Sequence, residues 1–368
     1  MPTTLILTLK TFSATGGIEK MCRIIGKALN EHTTDPGSNF LLYSMYDEPD
    51  AAAVNPYFSA AFFRGFANNK WKFARAAINK GRTVNTVLLS HVNLLPIGWL
   101  IKKLAPRTKL VLLTHGIEIW QPLSGLKKMM LSSCDQLIAV SAFTKQKIIS
   151  AQGIGAEKIT VLNNCIDPEL QAPTQQKKQP VLLQRFGCTS DDKILITLTR
   201  VAATERHKGY EKVMLAMAAL KEKSYDNLKY IIAGKYTETE KTYILDQAIQ
   251  LQLSGQVILA GFIPEEEMAD FFGIADMYVM PSKKEGFGLI FVEAMYHGLP
   301  VIAGNVDGSV DALANGRLGL LVNPDEQTDI TNAIQKMIDD TSAYIPDSKL
   351  VIDLFSFQTY QKNLLQIL

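Results

Sequence analysis

A chain of 368 residues is too long for one ordinary hydrophobic core and fits two domains of usual size. Its 47% apolar and 20% charged content is that of a globular protein, and without low-complexity tracts or short repeats the disordered, fibrous and solenoid classes fall away. The net charge of +2 is nearly balanced, but no Asp or Glu lies between Asp50 and Glu118, where Arg64, Lys70, Lys72, Arg75, Lys80 and Arg82 stand, so the first half carries a basic face.

The opening Met1-Pro-Thr-Thr-Leu-Ile-Leu-Thr-Leu-Lys10 has no basic start, too short an apolar run and no small-residue cleavage site for a secretory signal, and reads as a buried strand. Strand-like runs follow at Leu5–Leu9, Thr86–Ser90, Lys109–Thr114 and Gln136–Val140, with amphipathic segments between them, the alternation of parallel α/β units. The apolar stretch Val84–Ile101 is broken by Asn85, His91, Asn93 and Pro96 and is not expected to span a membrane. Between Asp167 and Pro180 three prolines and a loss of periodicity predict an interdomain linker. Alternation resumes with strands at Ile194–Thr199, Lys229–Ala233, Gln256–Ala260, Met277–Met280 and Pro300–Ala303.

The expected fold class is therefore α/β: a Rossmann-like domain over 1–170 and a second over 181–354, both doubly wound. Two such domains facing each other make a cleft. A C-terminal helix within 355–368 is expected to pack back on the N-terminal domain. Cys22, Cys134, Cys165 and Cys188 are too scattered for a zinc site or a disulfide framework, and a reducing cytoplasm is the default compartment.

Three motifs are missing. The turn Lys10-Thr-Phe-Ser-Ala-Thr-Gly-Gly17 does not match the dinucleotide glycine fingerprint, and neither Lys208-Gly209 nor Gly234-Lys235 completes a triphosphate loop. No Asp-x-Asp pair occurs, so neither a metal nor any other cofactor is expected.

The informative stretch is Ala275-Asp-Met-Tyr-Val-Met-Pro-Ser-Lys-Lys-Glu-Gly-Phe-Gly-Leu-Ile-Phe-Val-Glu-Ala-Met-Tyr-His-Gly-Leu-Pro-Val-Ile-Ala303, read as strand, loop, helix, turn and strand. The helix is predicted over Leu289–His297, with Gly298 as its C-terminal cap. Gly286 and Gly288 precede it, where bare backbone approaches a ligand and the helix start favours a phosphate. Glu293, one turn inside the helix, suits a ribose diol, and Glu285 suits sugar hydroxyls. Two isolated glutamates at this spacing are common surface residues; the glycines, cap and flanking strands favour a site. A second cluster, Thr199-Arg-Val-Ala-Ala-Thr-Glu-Arg-His-Lys-Gly-Tyr210, offers Arg200 and Lys208 to a leaving diphosphate, or is a solvated basic loop.

With these residues in view the chain resembles the family 4 glycosyltransferases of GT-B fold over nearly its whole length. The resemblance implies that Glu285 meets the donor sugar, Glu293 the ribose, and Arg200 and Lys208 the diphosphate, with Gly286, Phe287, Gly288 and Leu289 completing the donor loop. It implies that Gly16 and Gly17 lie beside the donor phosphates and acceptor, that His115 faces the reacting sugar, and that Phe262 and Ile263 hold the base largely through backbone. For His115 the other reading is a polar cap on a strand end, and for Phe262 and Ile263 it is core packing. Two departures stand out. Arg200 and Lys208 are further apart than the commoner family spacing, leaving Arg206 or Lys208 as the phosphate cation, and Gly304-Asn-Val-Asp-Gly-Ser309 replaces the double glycine of many relatives.

The implied activity is transfer of a sugar, with retention and without metal, from a nucleotide-diphosphate sugar, UDP-linked by expectation, to a saccharide or lipid-linked acceptor in cell-surface polysaccharide or glycolipid assembly. A nucleotide-sugar epimerase and a non-catalytic assembly subunit on the same fold are the competing readings. The basic and aromatic stretch 57–82 suits peripheral contact with an anionic membrane on its cytoplasmic face, or else its aromatics fill the core and its cations form a solvated rim. No nucleic-acid reading motif is present.

Overall fold

The structure, a computed structural model, describes residues 3–32, 39–173 and 178–368, so 174–177 of the expected linker lie outside the described residues. The chain divides into two compact units, Met1–Glu169 with Phe355–Leu368, and Leu170–Leu354.

In the first unit the strands are β1 (Thr3–Thr8), β2 (Asn39–Ser44), β3 (Phe63–Gly65), β4 (Thr86–Leu89), β5 (Lys109–Thr114), β6 (Gln136–Ala139) and β7 (Ile159–Val161). They form one parallel sheet in the order β3-β2-β1-β4-β5-β6-β7. A parallel sheet is covered on both faces, which is why β4 reads as an unbroken buried run and not as an alternation. Leu5, Leu7, Val87, Leu89 and Leu112 form the centre of its core with Phe73 and Ile101 from flanking helices. The stretch Val84–Ile101 resolves into β4, a short 3-10 turn and the helix Leu95–Leu104, and no helix among the described residues is long and apolar enough to cross a membrane.

The chain's last helix, Phe357–Ile367, is capped by Ser356 and buries Tyr360 and Leu364. Gln361 Nε2 donates to Ala28 O at 2.9 Å and Lys109 Nζ to Ile367 O at 2.5 Å, which ties this helix to the first unit as the sequence led us to expect.

The second unit has β8 (Lys193–Leu198), β9 (Leu228–Ala233), β10 (Val257–Gly261), β11 (Met277–Met280), β12 (Val301–Gly304) and β13 (Leu320–Val322), again all parallel, in the order β10-β9-β8-β11-β12-β13. Strand order reverses between β8 and β11, and at such a switch point the loops leaving neighbouring strands diverge and leave a crevice at their carboxyl ends. The two clusters singled out in the sequence are the segments that leave β8 and β11, so the topology alone brings Arg200 and Lys208 to the same sheet edge as Glu285.

The aromatic residues of 57–82 fit the second of their two readings. Tyr57, Phe58, Phe66 and Phe73 are buried, Phe62 and Phe63 are half-buried against Phe40 and Phe12, and Trp71 is exposed. Apart from Trp71 the aromatics belong to the core or pack against it, and the cations are left as a rim.

Candidate functional site

After β11 the chain runs through Pro281–Gly288 and enters the helix Leu289–Tyr296. Gly288 takes φ +87°, a left-handed conformation that costs glycine little, and this turn starts the helix abruptly. His297 is the helix cap rather than its last turn, one residue short of the predicted end, and Gly298 follows at φ +77°.

Glu285 is held at three points. Its backbone N donates to Asp307 Oδ2 at 2.7 Å, its carbonyl accepts from Gly308 N at 2.8 Å, and its carboxylate pairs with the Lys208 ammonium. A side chain at position 308 would put its Cβ 2.1 Å from Gly286 O, so glycine is required for the β12 loop to lie against the Glu285 loop. Asp307 is fully buried and also accepts from Ser309 N at 2.9 Å and Ser282 Oγ at 3.2 Å. Burial pushes its carboxyl up to about 6 despite those bonds. Glu293 lies in the helix Leu289–Tyr296 and is buried, 5% exposed.

The β8 segment forms a 3-10 turn, Ala203–Lys208. Lys283 N donates to His207 O at 3.1 Å, which joins this turn to the Glu285 loop. Arg206 and Lys208, the two cations left open by the sequence, have different partners. Arg206 is committed to Glu240, with Nε at 2.9 Å and Nη2 at 3.1 Å, and stacks on Tyr243 with its guanidinium 3.6 Å from the ring centroid. Lys208 is the cation that reaches the Glu285 carboxylate. Arg200 lies further out, its side chain 81% exposed and bonded to Glu205 Oε1 at 2.8 Å. A pair that open to water holds the guanidinium weakly and leaves it available to an arriving anion.

The remaining donor-side residues divide by side chain. Phe287 and Ile263 are buried, at 2% and 4% exposure, so both can serve a ligand only through backbone. Leu289 is half-buried at the helix start, and Phe262 is exposed under Lys235, which sits 5.1 Å from its ring centroid. Core packing thus describes Ile263 but not Phe262.

The other three candidates stand in the first unit. Gly16 and Gly17 open the helix Gly17–His32, and the loop before them is fixed by the buried Asp47, whose carboxylate accepts from Thr11 N at 2.6 Å and Ser13 N at 2.8 Å. His115 follows β5, and its Nε2 lies 2.9 Å from Ser90 O, which fixes that nitrogen as the donor. Burial lowers its pKa, so the ring is neutral at pH 7.

Sequence reasoning missed Asp307, Asp47 and Glu240. The signal for Asp307 was present in the Asp-Gly-Ser turn that replaces a double glycine; Glu240 and Asp47 belong to no local pattern. Among the described residues no group of three or more His, Cys, Asp or Glu is placed to hold a metal ion.

Two family models match the chain: Glycosyltransferase Family 4 over residues 15–170 and Glycosyl transferases group 1 over residues 184–348. The mannosylfructose-phosphate synthase of Agrobacterium fabrum is 26% identical over 209 residues, 55% of this chain and 45% of that protein. The capsular polysaccharide biosynthesis glycosyltransferase CapM of Staphylococcus aureus is 27% identical over 217 residues, 59% of this chain and 56% of that one. The chain thus spans about half the length of the curated relatives it matches. Among solved structures, Anabaena Alr3699/HepE in complex with UDP and glucose matches at TM-score 0.81 and 20% identity, over 100% of this chain and 99% of that one. A glycosyltransferase from Rickettsia africae ESF-5 matches at 0.77 and 17%, over 100% and 97%. At those identities the likeness is one of fold, the two-sheet GT-B architecture.

Proposed function

The chain belongs to the family 4 glycosyltransferases, and from that premise we propose that it transfers a sugar from a nucleotide-diphosphate sugar to a saccharide or lipid-linked saccharide acceptor. The observation that carries this reading is the Lys208–Glu285 pair, set beside the Gly286–Gly288 loop at a helix start and joined through Asp307 to a second loop. A carboxylate for sugar hydroxyls, a cation for phosphate and the backbone of a helix start then occupy one sheet edge.

In this reading the nucleoside diphosphate lies across the helix start, its phosphates toward the backbone of Gly286–Leu289, with Glu293 accepting from the ribose hydroxyls. Charge develops on the departing diphosphate as the bond from sugar C1 to phosphate oxygen breaks. Lys208 then exchanges Glu285 for that phosphate and Arg200 leaves Glu205 for it, so both cations bind more strongly in the transition state than in the ground state. Glu285, released from Lys208, accepts from the donor sugar. We assign the acceptor side to His115 and the Gly16-Gly17 turn. The acceptor oxygen bonds to C1 and its proton passes to the leaving phosphate oxygen, which gives retention if attack is on the leaving face. Uridine is the base we favour, because a UDP complex of similar fold is known in HepE.

Nucleotide release measured over a panel of UDP-, GDP- and ADP-sugars, with and without saccharide acceptors, tests the proposal. Acceptor-dependent release with one donor is expected. Conversion of a labelled donor to its epimer without acceptor would establish the rival activity, and no release with any donor would favour an assembly subunit.

A further inference from the structure

The rim of cations left behind by the buried aromatics is itself organised. Along one face of the helix Lys70–Gly81 and its exit lie Lys72, Arg75, Asn79, Lys80 and Thr83, at the i, i+3, i+7, i+8 and i+11 spacing that shares a helix stripe. Opposite them Arg64 of the edge strand β3 lies 5.0 Å from the Phe66 ring centroid and 6.0 Å from that of Tyr43, which fixes its guanidinium in the wall. These residues line a cavity of about 920 Å³ whose lining contains no Asp or Glu.

The helix is not served by this arrangement. Its first turn carries Lys70 and Lys72 and no acid, against the helix dipole, and no ion pair among the described residues neutralises Arg64, Lys72, Arg75 or Lys80. Lys72 opposes the dipole while Lys80, in the last turn, accords with it. What the four cations share is that no carboxylate among the described residues neutralises them, and such a row is arranged for an anion from outside the unit.

The groove also has a direction. Its upper end, Gly65 to Asn69, follows the carboxyl end of β3. There Ala67 N donates to Asp47 O at 2.8 Å, and the Asp47 carboxylate holds the loop leading to Gly16 and Gly17. From that edge the groove descends the helix, and the cations from Lys72 to Lys80 span about 12 Å at 1.5 Å per residue, room for several sugar units.

We propose that this groove is an extended acceptor subsite for an acidic oligosaccharide, a chain whose carboxylate or phosphate groups pair with Lys72, Arg75, Lys80 and Arg64 while its hydroxyls meet Asn79 and Thr83. The inference rests on the acceptor being a saccharide and narrows it to an acidic one. Neutral chains gain nothing from four unpaired cations, and a membrane surface would draw more from exposed aromatics than Trp71 alone provides.

The test uses the full chain and the variant Lys72→Ser/Arg75→Ser/Lys80→Ser, whose changed side chains reach solvent and whose fold is checked by circular dichroism and thermal melting. Four probes are titrated: oligogalacturonate, a neutral malto-oligosaccharide of equal length, phosphatidylglycerol vesicles, and UDP. We expect oligogalacturonate to bind the wild type in a salt-sensitive manner and the variant at least tenfold more weakly, with the neutral chain weak on both and UDP equal on both. Equal affinity of oligogalacturonate for the two proteins, or none for either, overturns the proposal. Vesicle binding lost in the variant without oligogalacturonate binding overturns it in favour of a lipid surface. Loss of UDP binding on both proteins would instead strike the donor site and leave the groove standing as a saccharide site.

Discussion

Arg206 reaches no proposed ligand, yet its replacement by Met should damage both stability and donor binding. Glu240 is 1% exposed, and its carboxylate is held by two bonds from Arg206 and one of 2.5 Å from Tyr210 Oη. Burial pushes its carboxyl up, and the bonds from Arg206 and Tyr210 more than reverse that, holding it below the usual carboxylate range. Breaking a fully buried ion pair from one side costs about 3–5 kcal/mol. Arg206 is 38% exposed and the Tyr210 bond survives its loss, so the expected cost of Arg206→Met is lower, about 2–3 kcal/mol. Glu240→Gln keeps the shape and an acceptor oxygen, leaves no buried charge, and should cost only about 1 kcal/mol.

Urea unfolding followed by tryptophan fluorescence reads this order as a larger midpoint shift for Arg206→Met at unchanged m. The folded pKa of Glu240 is depressed, so its contribution is present above the unfolded value near 4.5 and lost as pH falls through the folded one; the gap between wild type and Arg206→Met should narrow as pH falls below 4.5. Because Arg206 anchors the turn that ends in Lys208, nucleotide affinity should also fall about three- to tenfold. A neutral Arg206→Met, or a Glu240→Gln that costs more, would show that Arg206 does not hold a buried charge at Glu240.

Lys208→Ala should lower kcat far more than it raises the donor Kd, because its partner changes from Glu285 to phosphate as charge develops; equal losses would make it a uniform binding residue. Asp307→Asn offers one acceptor oxygen where Glu285 N, Ser282 Oγ and Ser309 N now converge, and should lower kcat/KM about tenfold or more while leaving the fold intact, as steady-state kinetics with circular dichroism would show. His297 is buried against Phe272, and burial lowers its pKa to about 4. The unfolded chain takes up that proton near pH 6.5 and the folded one does not, so stability is full above 6.5 and falls toward pH 4, by about 3 kcal/mol at most. His297→Phe should flatten the fall measured by urea unfolding at stepped pH. An unchanged slope would show that His297 is not its source.

What the sequence disclosed follows from how each feature is encoded. Most buried strands announce themselves: the predicted Lys109–Thr114 and Met277–Met280 coincide with β5 and β11, and the ends of the remaining predicted strands lie within one or two residues of the observed ones. The strands that escaped notice are β2 and the three short ones, β3, β7 and β13, which at three residues each are too short to show any period. At the site, Glu285, Gly288 and Glu293 share one strand-loop-helix unit and were readable together, whereas Glu240 and Asp307 act on partners 34 and 22 residues away. No local spacing encodes that kind of contact. The basic stretch shows the converse: its composition was plain, but only burial tells its core aromatics from its free cations.

In the proposed function Glu293 and its helix start grip a nucleoside diphosphate. Calorimetric titration of UDP into wild type and Glu293→Gln tests it most directly. UDP should bind the wild type and lose about 1–3 kcal/mol in the variant, roughly five- to 150-fold, with the fold unchanged. Identical affinity in the two proteins would contradict it.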